Sequence, residues 1–208
     1  MPHHTLAVDL PGRGSRARTD LTRVTLQDCA DAVVADVESR DLTDVVLVGH
    51  SFAGVTVPPR HDRARRADPP RRPALRGRPA RRHPGAGQID PGVRGLVEQS
   101  LAGGIYHQER AAAHTMLCDD MDEATATAAL DRLVDDSAVL SEPVDLAGCA
   151  SPVPRTYIRL TADQRYTPDP QERSVALTSA DVEWLHAGHL AMISAPTELA
   201  TLLDRLHG

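Results

Sequence analysis

Lysine is absent from this sequence, so all 23 basic side chains are arginines, a bias that points to a GC-rich gene. Aromatic residues are scarce too, at 2% of the chain, and a core has to be built from Val, Leu, Ile and Ala. Three cysteines, Cys29, Cys118 and Cys149, stand far apart with no CxxC pair or Cys/His cluster. That pattern speaks against a disulfide framework or a zinc site. No apolar run approaches the roughly 20 residues that cross a bilayer, and the N-terminus lacks the basic and apolar regions of a signal peptide. A cytoplasmic protein with no membrane partner is the expectation. A net charge of −6 weighs against nucleic acid as a general partner. What is there, 208 residues at 41% hydrophobic content, suffices for one domain with a sizeable core.

The most informative stretch is residues 45–54, Val-Val-Leu-Val-Gly-His-Ser-Phe-Ala-Gly. Its aliphatic run reads as a buried strand, and Gly49-His50-Ser51 as a very tight turn into a helix. Such an elbow holds the Ser51 hydroxyl above the end of a parallel sheet, with glycines where a side chain would meet crossing backbone. Ala53 replaces the second glycine of the commonest G-x-S-x-G form, and a small residue still fits. A plain strand-to-helix turn is the alternative, so the rest of the chain has to decide.

Residues 4–10 read as a short strand closed by the turn-rich run Pro11-Gly12-Arg13-Gly14-Ser15. Leu26, Cys29, Ala30, Val33, Val34 and Val37 then recur at helical spacing, with Thr25 placed to cap them. Strand, helix and strand in this order make a βαβ unit of a parallel sheet. Residues 89–104 and 109–140 are largely helical in pattern, with Ala128, Ala129, Leu130, Leu133 and Val134 as apolar contacts. The acidic run Asp119-Asp120-Met121-Asp122-Glu123 lacks calcium-loop spacing and reads as a solvated helix start. Residues 156–160 and 182–185 are two further strands, and residues 198–206 a terminal amphipathic helix carrying Leu199, Leu202, Leu203 and Leu206.

Residues 58–88 break this pattern. They hold ten of the arginines, seven prolines and only Leu75 as a large apolar residue, so no packed helix or strand is expected there. Three readings stay open. One is a basic arm for a polyanion, although no aromatic is interleaved for base stacking. Another is a plain linker. The third is translation out of frame: codon degeneracy lets residues 68–72 be read one base later as Thr-Arg-Leu-Val, a strand-like sequence.

A serine hydroxyl becomes a useful nucleophile when a base removes its proton and a carboxylate orients that base. The sequence offers Ser51, then Asp163, then His189, each at the end of a predicted strand and in the chain order of an α/β-hydrolase. Taken singly, Asp163 reads as a turn aspartate and His189 as a loop histidine beside His186. His50 is assigned packing or hydrogen bonding.

The chain resembles the small α/β-hydrolases of the plant-type esterase and hydroxynitrile-lyase group and their bacterial relatives. The matching stretches are Val8-Asp9-Leu10-Pro11-Gly12-Arg13-Gly14, the elbow, Leu140-Ser141-Glu142-Pro143-Val144, Tyr157-Ile158-Arg159-Leu160-Thr161-Ala162-Asp163 with Pro168, and Ala187-Gly188-His189-Leu190-Ala191-Met192. The resemblance implies a mostly parallel sheet flanked by helices, a single domain over residues 1–208, and a helical cap over residues 90–150. It implies Ser51 as nucleophile, Asp163 as acid, His189 as base and the Phe52 N–H as one oxyanion donor. It further implies that the family's first strand and its His-Gly oxyanion loop are missing ahead of this chain. Where the family's cyanohydrin lyases have a lysine after the histidine, this chain has Leu190, which fits the esterase branch. The expected function is hydrolysis of a small carboxylic ester without cofactor or metal; an impaired or inactive remnant of the fold is the alternative.

Overall fold

Thr25 opens the first long helix because both halves of its capping box are filled. Its side chain accepts from the Asp28 N–H, and the Asp28 carboxylate accepts from the Thr25 N–H at 2.9 Å. A computed structural model describes residues 4–56, 101–142 and 153–207. In chain order the elements are α1 (Leu26–Glu38), α2 (Ala53–Thr56), β1 (Leu101–Ala102), β2 (Ile105–Tyr106), α3 (Arg110–Leu117), α4 (Glu123–Leu130), β3 (Asp136–Ser137), β4 (Thr156–Leu160), α5 (Pro168–Thr178), β5 (Asp181–Leu185), α6 (Ala191–Ser194) and α7 (Pro196–His207). They fall into two units, Met1–Tyr106 with Asp135–Pro152, and His107–Val134 with Val153–Gly208. Among the described residues no helix is long and apolar enough to cross a membrane.

In the first unit α1 buries Cys29, Ala30, Ala32 and Val37, close to the face its periodicity predicts. Val24, Cys29 and Val139 form its small core, with Leu10, Leu21, Leu26 and Phe52 packed around them. The turn after residue 10 forms as expected, with Gly12 at φ 85° and the Asp9 carboxylate accepting from the Ser15 N–H at 2.9 Å.

Two expectations fail here. Residues 4–10 and 45–50 make no strand ladder among the described residues, and Val46 and Val48 are 56% and 61% exposed rather than buried. An apolar β-branched run can specify extended backbone, but a ladder also needs partners from elsewhere in the chain. Residues 101–104, expected to be helical, belong to a hairpin instead. Leu101 pairs with Tyr106 and Ala102 with Ile105, across Gly103 and Gly104 at φ 61° and 85°. A Gly-Gly pair with both φ values positive is a tight hairpin turn that outweighs a weak helical pattern. Residues 58–88 and 89–100 lie outside the described residues, as do Pro143 and Val144.

In the second unit α3 and α4 pack through Ala113, Leu117, Cys118, Ala126, Ala129 and Leu130. The helical pattern expected to continue through residue 140 stops at Leu130, so Leu133 and Val134 are 39% and 53% exposed; Ala128, within α4, is exposed as well. Asp122 caps α4 by accepting from the Thr125 N–H at 2.8 Å, as a helix-start acid should. Strands β4 and β5 form the predicted parallel pair, in register from Thr156 opposite Asp181 to Leu160 opposite Leu185. Between them runs α5, a helix the hydropathy pattern does not announce. Its prolines stand in the first turn, where a missing N–H costs nothing, and Ser179 ends it in the left-handed conformation.

Helix α7 lays Leu199 and Leu202 against Leu185, Ala187, Ala191 and Ala195, with Ile158 and Leu160 of β4 beneath. Leu206, at 38% exposed, lies at the fraying end of that stripe. Leu202 is 3% exposed, so Leu202→Ala is expected to lower unfolding free energy by about 2–5 kcal/mol in a urea titration. A loss below about 1 kcal/mol would mean that α7 does not pack on the strand pair.

Candidate active site

The β4–β5 ladder runs past its last strand residues. The Thr161 N–H donates to the Leu185 carbonyl at 3.0 Å and the Ala162 N–H to the Ala187 carbonyl at 3.2 Å. Parallel strands end on the same side, so the residues just beyond them meet. Those residues include Asp163 and His189, which are 7% and 6% exposed and joined at 2.9 Å between Oδ2 and Nδ1.

Asp163 uses both carboxylate oxygens. Its Oδ1 accepts from the Arg165 N–H at 2.8 Å and the Tyr166 N–H at 2.7 Å. A carboxylate can only accept, so with Asp163 as a carboxylate His189 Nδ1 is the donor of the shared bond. This is the tautomer a general base needs. The second histidine of the loop has a different setting: His186 is exposed and shares a 2.8 Å hydrogen bond with the Thr161 hydroxyl.

One residue of this framework escaped the sequence reading. Gln171 of α5 is 4% exposed, and its amide donates to the Leu160 carbonyl at 3.0 Å and the Tyr166 carbonyl at 2.7 Å while accepting from the Leu160 N–H at 3.1 Å. It ties the end of β4 to the far side of the loop that carries Asp163. A lone glutamine in a polar helix carries no pattern that would mark it.

Ser51 belongs to the first unit, at the elbow. Its φ is 52°, a left-handed conformation that costs a residue with a side chain about 1–2 kcal/mol. The turn is held by the Ala53 N–H donating to the His50 carbonyl at 2.9 Å and the Gly54 N–H to the Ser51 carbonyl at 3.0 Å. A Cβ on Gly49 would stand 3.0 Å from the Ala53 carbonyl oxygen and from the Gly54 Cα, so only glycine fits without backbone movement. These features match the tight elbow expected from the sequence.

The exposed Ser51 lines a cavity of about 210 Å³ with Leu10, Phe52 and Cys29 on apolar walls and Arg13 and Asp136 on a polar one. Arg13 is paired with Asp136 at 2.9 Å, so the wall offers little net charge. Cys29 is a second nucleophile type in this cavity, but burial, then the negative charges of Asp136 and Asp28, push its thiol up to about 11. A thiol held protonated is a poor nucleophile. A larger cavity of about 360 Å³ beside Arg110, His114 and Glu123 in the second unit contains none of the predicted site residues. Among the described residues no three His, Cys, Asp or Glu side chains gather as a metal would require.

The profile described as the Alpha/beta hydrolase family matches residues 2–202. The chain belongs to the alpha/beta hydrolase family. Hydrolase chemistry is the enzyme class that this membership assigns. Solved structures of similar fold include an extracellular alpha/beta-hydrolase from a Paenibacillus species described as sharing structural and functional homology with tobacco salicylic acid binding protein 2. It is 19% identical with a TM-score of 0.74, over 94% of this chain and 84% of that one. The pyrethroid hydrolase PytH is 19% identical with a TM-score of 0.67, over 96% and 84% of the two chains. Polyneuridine aldehyde esterase is 16% identical with a TM-score of 0.66, over 97% and 87%. At these identities the likeness concerns the fold. No curated protein matches the chain in sequence.

Two predictions follow from this hydrolase's framework. Gln171→Ala strands the partly buried Leu160 N–H and carbonyl and is expected to cost about 1–3 kcal/mol in denaturant unfolding, whereas no loss would mean the amide is dispensable. With Cys118 and Cys149 replaced by serine, the remaining Cys29 is expected to react with iodoacetamide at pH 8 at least about tenfold more slowly than free cysteine and to speed up toward pH 11. Rapid alkylation at pH 8 would contradict a protonated, buried thiol.

Proposed function

We propose that this alpha/beta hydrolase cleaves a small carboxylic ester through an acyl-enzyme, with Ser51 as nucleophile, His189 as general base and Asp163 as its orienting carboxylate. The observation that carries the reading is the buried Asp163–His189 pair at the ends of two parallel strands, joined through Nδ1. In this reading His189 Nε2 takes the Ser51 proton as Oγ attacks the ester carbonyl, and the Phe52 N–H donates to the oxyanion that forms. The imidazolium then returns its proton to the departing alkoxide, which leaves as an alcohol. Water, deprotonated by the same nitrogen, attacks the acyl-serine and releases the acid. Asp163 stays ionised throughout and balances the imidazolium charge.

Several features support the ester as substrate class. The Ser51 cavity is small, with Leu10 and Phe52 on its apolar side and its Arg13 and Asp136 paired with each other, which suits an uncharged acyl group. Leu190 stands where a lyase of this kind would need a charge. Two of the similar structures are named a pyrethroid hydrolase and an esterase. The chemistry uses side chains and backbone alone, so the reading calls for no cofactor.

Ser51→Ala is expected to lower kcat for p-nitrophenyl acetate by about 10⁴-fold or more, and Asp163→Asn by about 10³- to 10⁴-fold with little change in KM. A fluorophosphonate should label the wild-type chain on Ser51 and leave Ser51→Ala unlabelled. Turnover that survives in Ser51→Ala would remove the serine from the mechanism.

A further inference from the structure

His189 is fixed through its side chain by Asp163, but the ring is only as well placed as the backbone on either side of it. That backbone is held by the helix pair α3–α4. After the histidine, Leu190 packs against the cluster formed by Ala113, Leu117, Cys118, Ala126, Ala129 and Leu130. Before it, the N–H of the buried Gly188 donates to Asp120 Oδ2 at 2.5 Å. Asp120 lies in the turn between the two helices, where the Met121 N–H donates to the Cys118 carbonyl at 3.2 Å.

A side chain at position 188 would push the Asp120 carboxylate aside. A Cβ there would stand 2.5 Å from Asp120 Cγ, so the glycine lets the carboxylate reach the backbone. Gly188 is buried, and without Asp120 its N–H would lose the partner it has among the described residues. A donor so placed either finds an acceptor or moves, and here movement would carry His189 with it. A carboxylate that accepts from a backbone N–H makes a stronger bond than a neutral acceptor does, which suits a positioning role.

We propose that Asp120 is a positioning residue for His189: its carboxylate pins the Gly188 N–H and so sets the imidazole against Asp163. The catalytic part of this inference rests on the esterase reading, whereas the positioning part concerns the Asp163–His189 pair itself. It also gives the acidic run at residues 119–123 a second task, since Asp122 caps α4 while Asp120 reaches across to the histidine loop. Asp120 remains solvent-exposed as a whole, so replacing it leaves the α3–α4 core intact.

The test compares wild type, Asp120→Ala and Asp120→Asn; the asparagine keeps an acceptor oxygen and drops the charge. Proton NMR follows the Nδ1–H that His189 shares with Asp163, and turnover of p-nitrophenyl acetate is measured alongside, with Ser51→Ala as the inactive control. Asp120→Ala is expected to speed solvent exchange of that proton about tenfold or more. It should also lower kcat by about 10- to 100-fold with KM within about twofold, the scale of a small misplacement of a catalytic group. Asp120→Asn should restore both to within a few-fold of wild type. An Asp120→Ala chain with wild-type exchange and wild-type kcat would overturn the proposal. So would an Asp120→Asn chain as impaired as the alanine variant, because the acceptor would then not be what matters. If wild type and Ser51→Ala are equally inactive while the exchange results hold, the esterase reading falls and the positioning role stands.

Discussion

Two short strands running the same way, β4 and β5, determine whether the buried Asp163–His189 pair can form. Because they are parallel and in register from Thr156 opposite Asp181 to Leu160 opposite Leu185, their C-terminal ends emerge together. An antiparallel pair would send the loop after one strand to the opposite end from the loop after the other. The bond between Asp163 and His189, two residues 26 positions apart, exists because of that direction. The elements around the pair then act as supports. Helix α7 covers the strands through Leu199 and Leu202, Gln171 fastens the aspartate loop, and α3–α4 brace the histidine loop.

The elbow illustrates the same economy on a smaller scale. Ser51 stands in a left-handed conformation because the chain must reverse there, and Gly49 provides the space through which Ala53 and Gly54 pass. Local strain of this kind is tolerated where it aims a functional group, and it makes the hydroxyl the exposed tip of the turn. The neighbouring thiol of Cys29 shows the opposite treatment. Burial removes it from acid–base chemistry at neutral pH, so one cavity holds two nucleophilic atom types and presents a single accessible one.

Where the sequence reading failed, each failure had a physical cause. Helix α5 was not expected: it begins with Pro168 and Pro170 and has no clear apolar stripe, yet its first turn needs no donor from the prolines. The Gly103-Gly104 hairpin hid inside a stretch with weak helical periodicity, because a turn that needs positive φ is announced by two residues and no more. Leu133 and Val134 continued an apolar spacing past the point where the backbone leaves the helix at Leu130. Residues 45–48 have the composition of a buried strand, but burial depends on what lies on either face, and that information is not local.

The sequence by itself determined the parts that depend on neighbours along the chain. The Thr25 helix cap, the tight turn about Ser51, the terminal stripe of leucines and the family to which the chain belongs were all legible from short motifs and their order. These rest on backbone sterics and on contacts three or four residues apart, which sequence spacing encodes directly. Only the tertiary structure decided which of two nearby histidines is buried and faces a carboxylate, and that Gln171 and Asp120 hold the loops on which that pair stands. Those contacts join residues 5 to 68 positions apart, most of them more than ten, and hydrogen bonds of that span depend on how the strands and helices pack rather than on any residue's own preference.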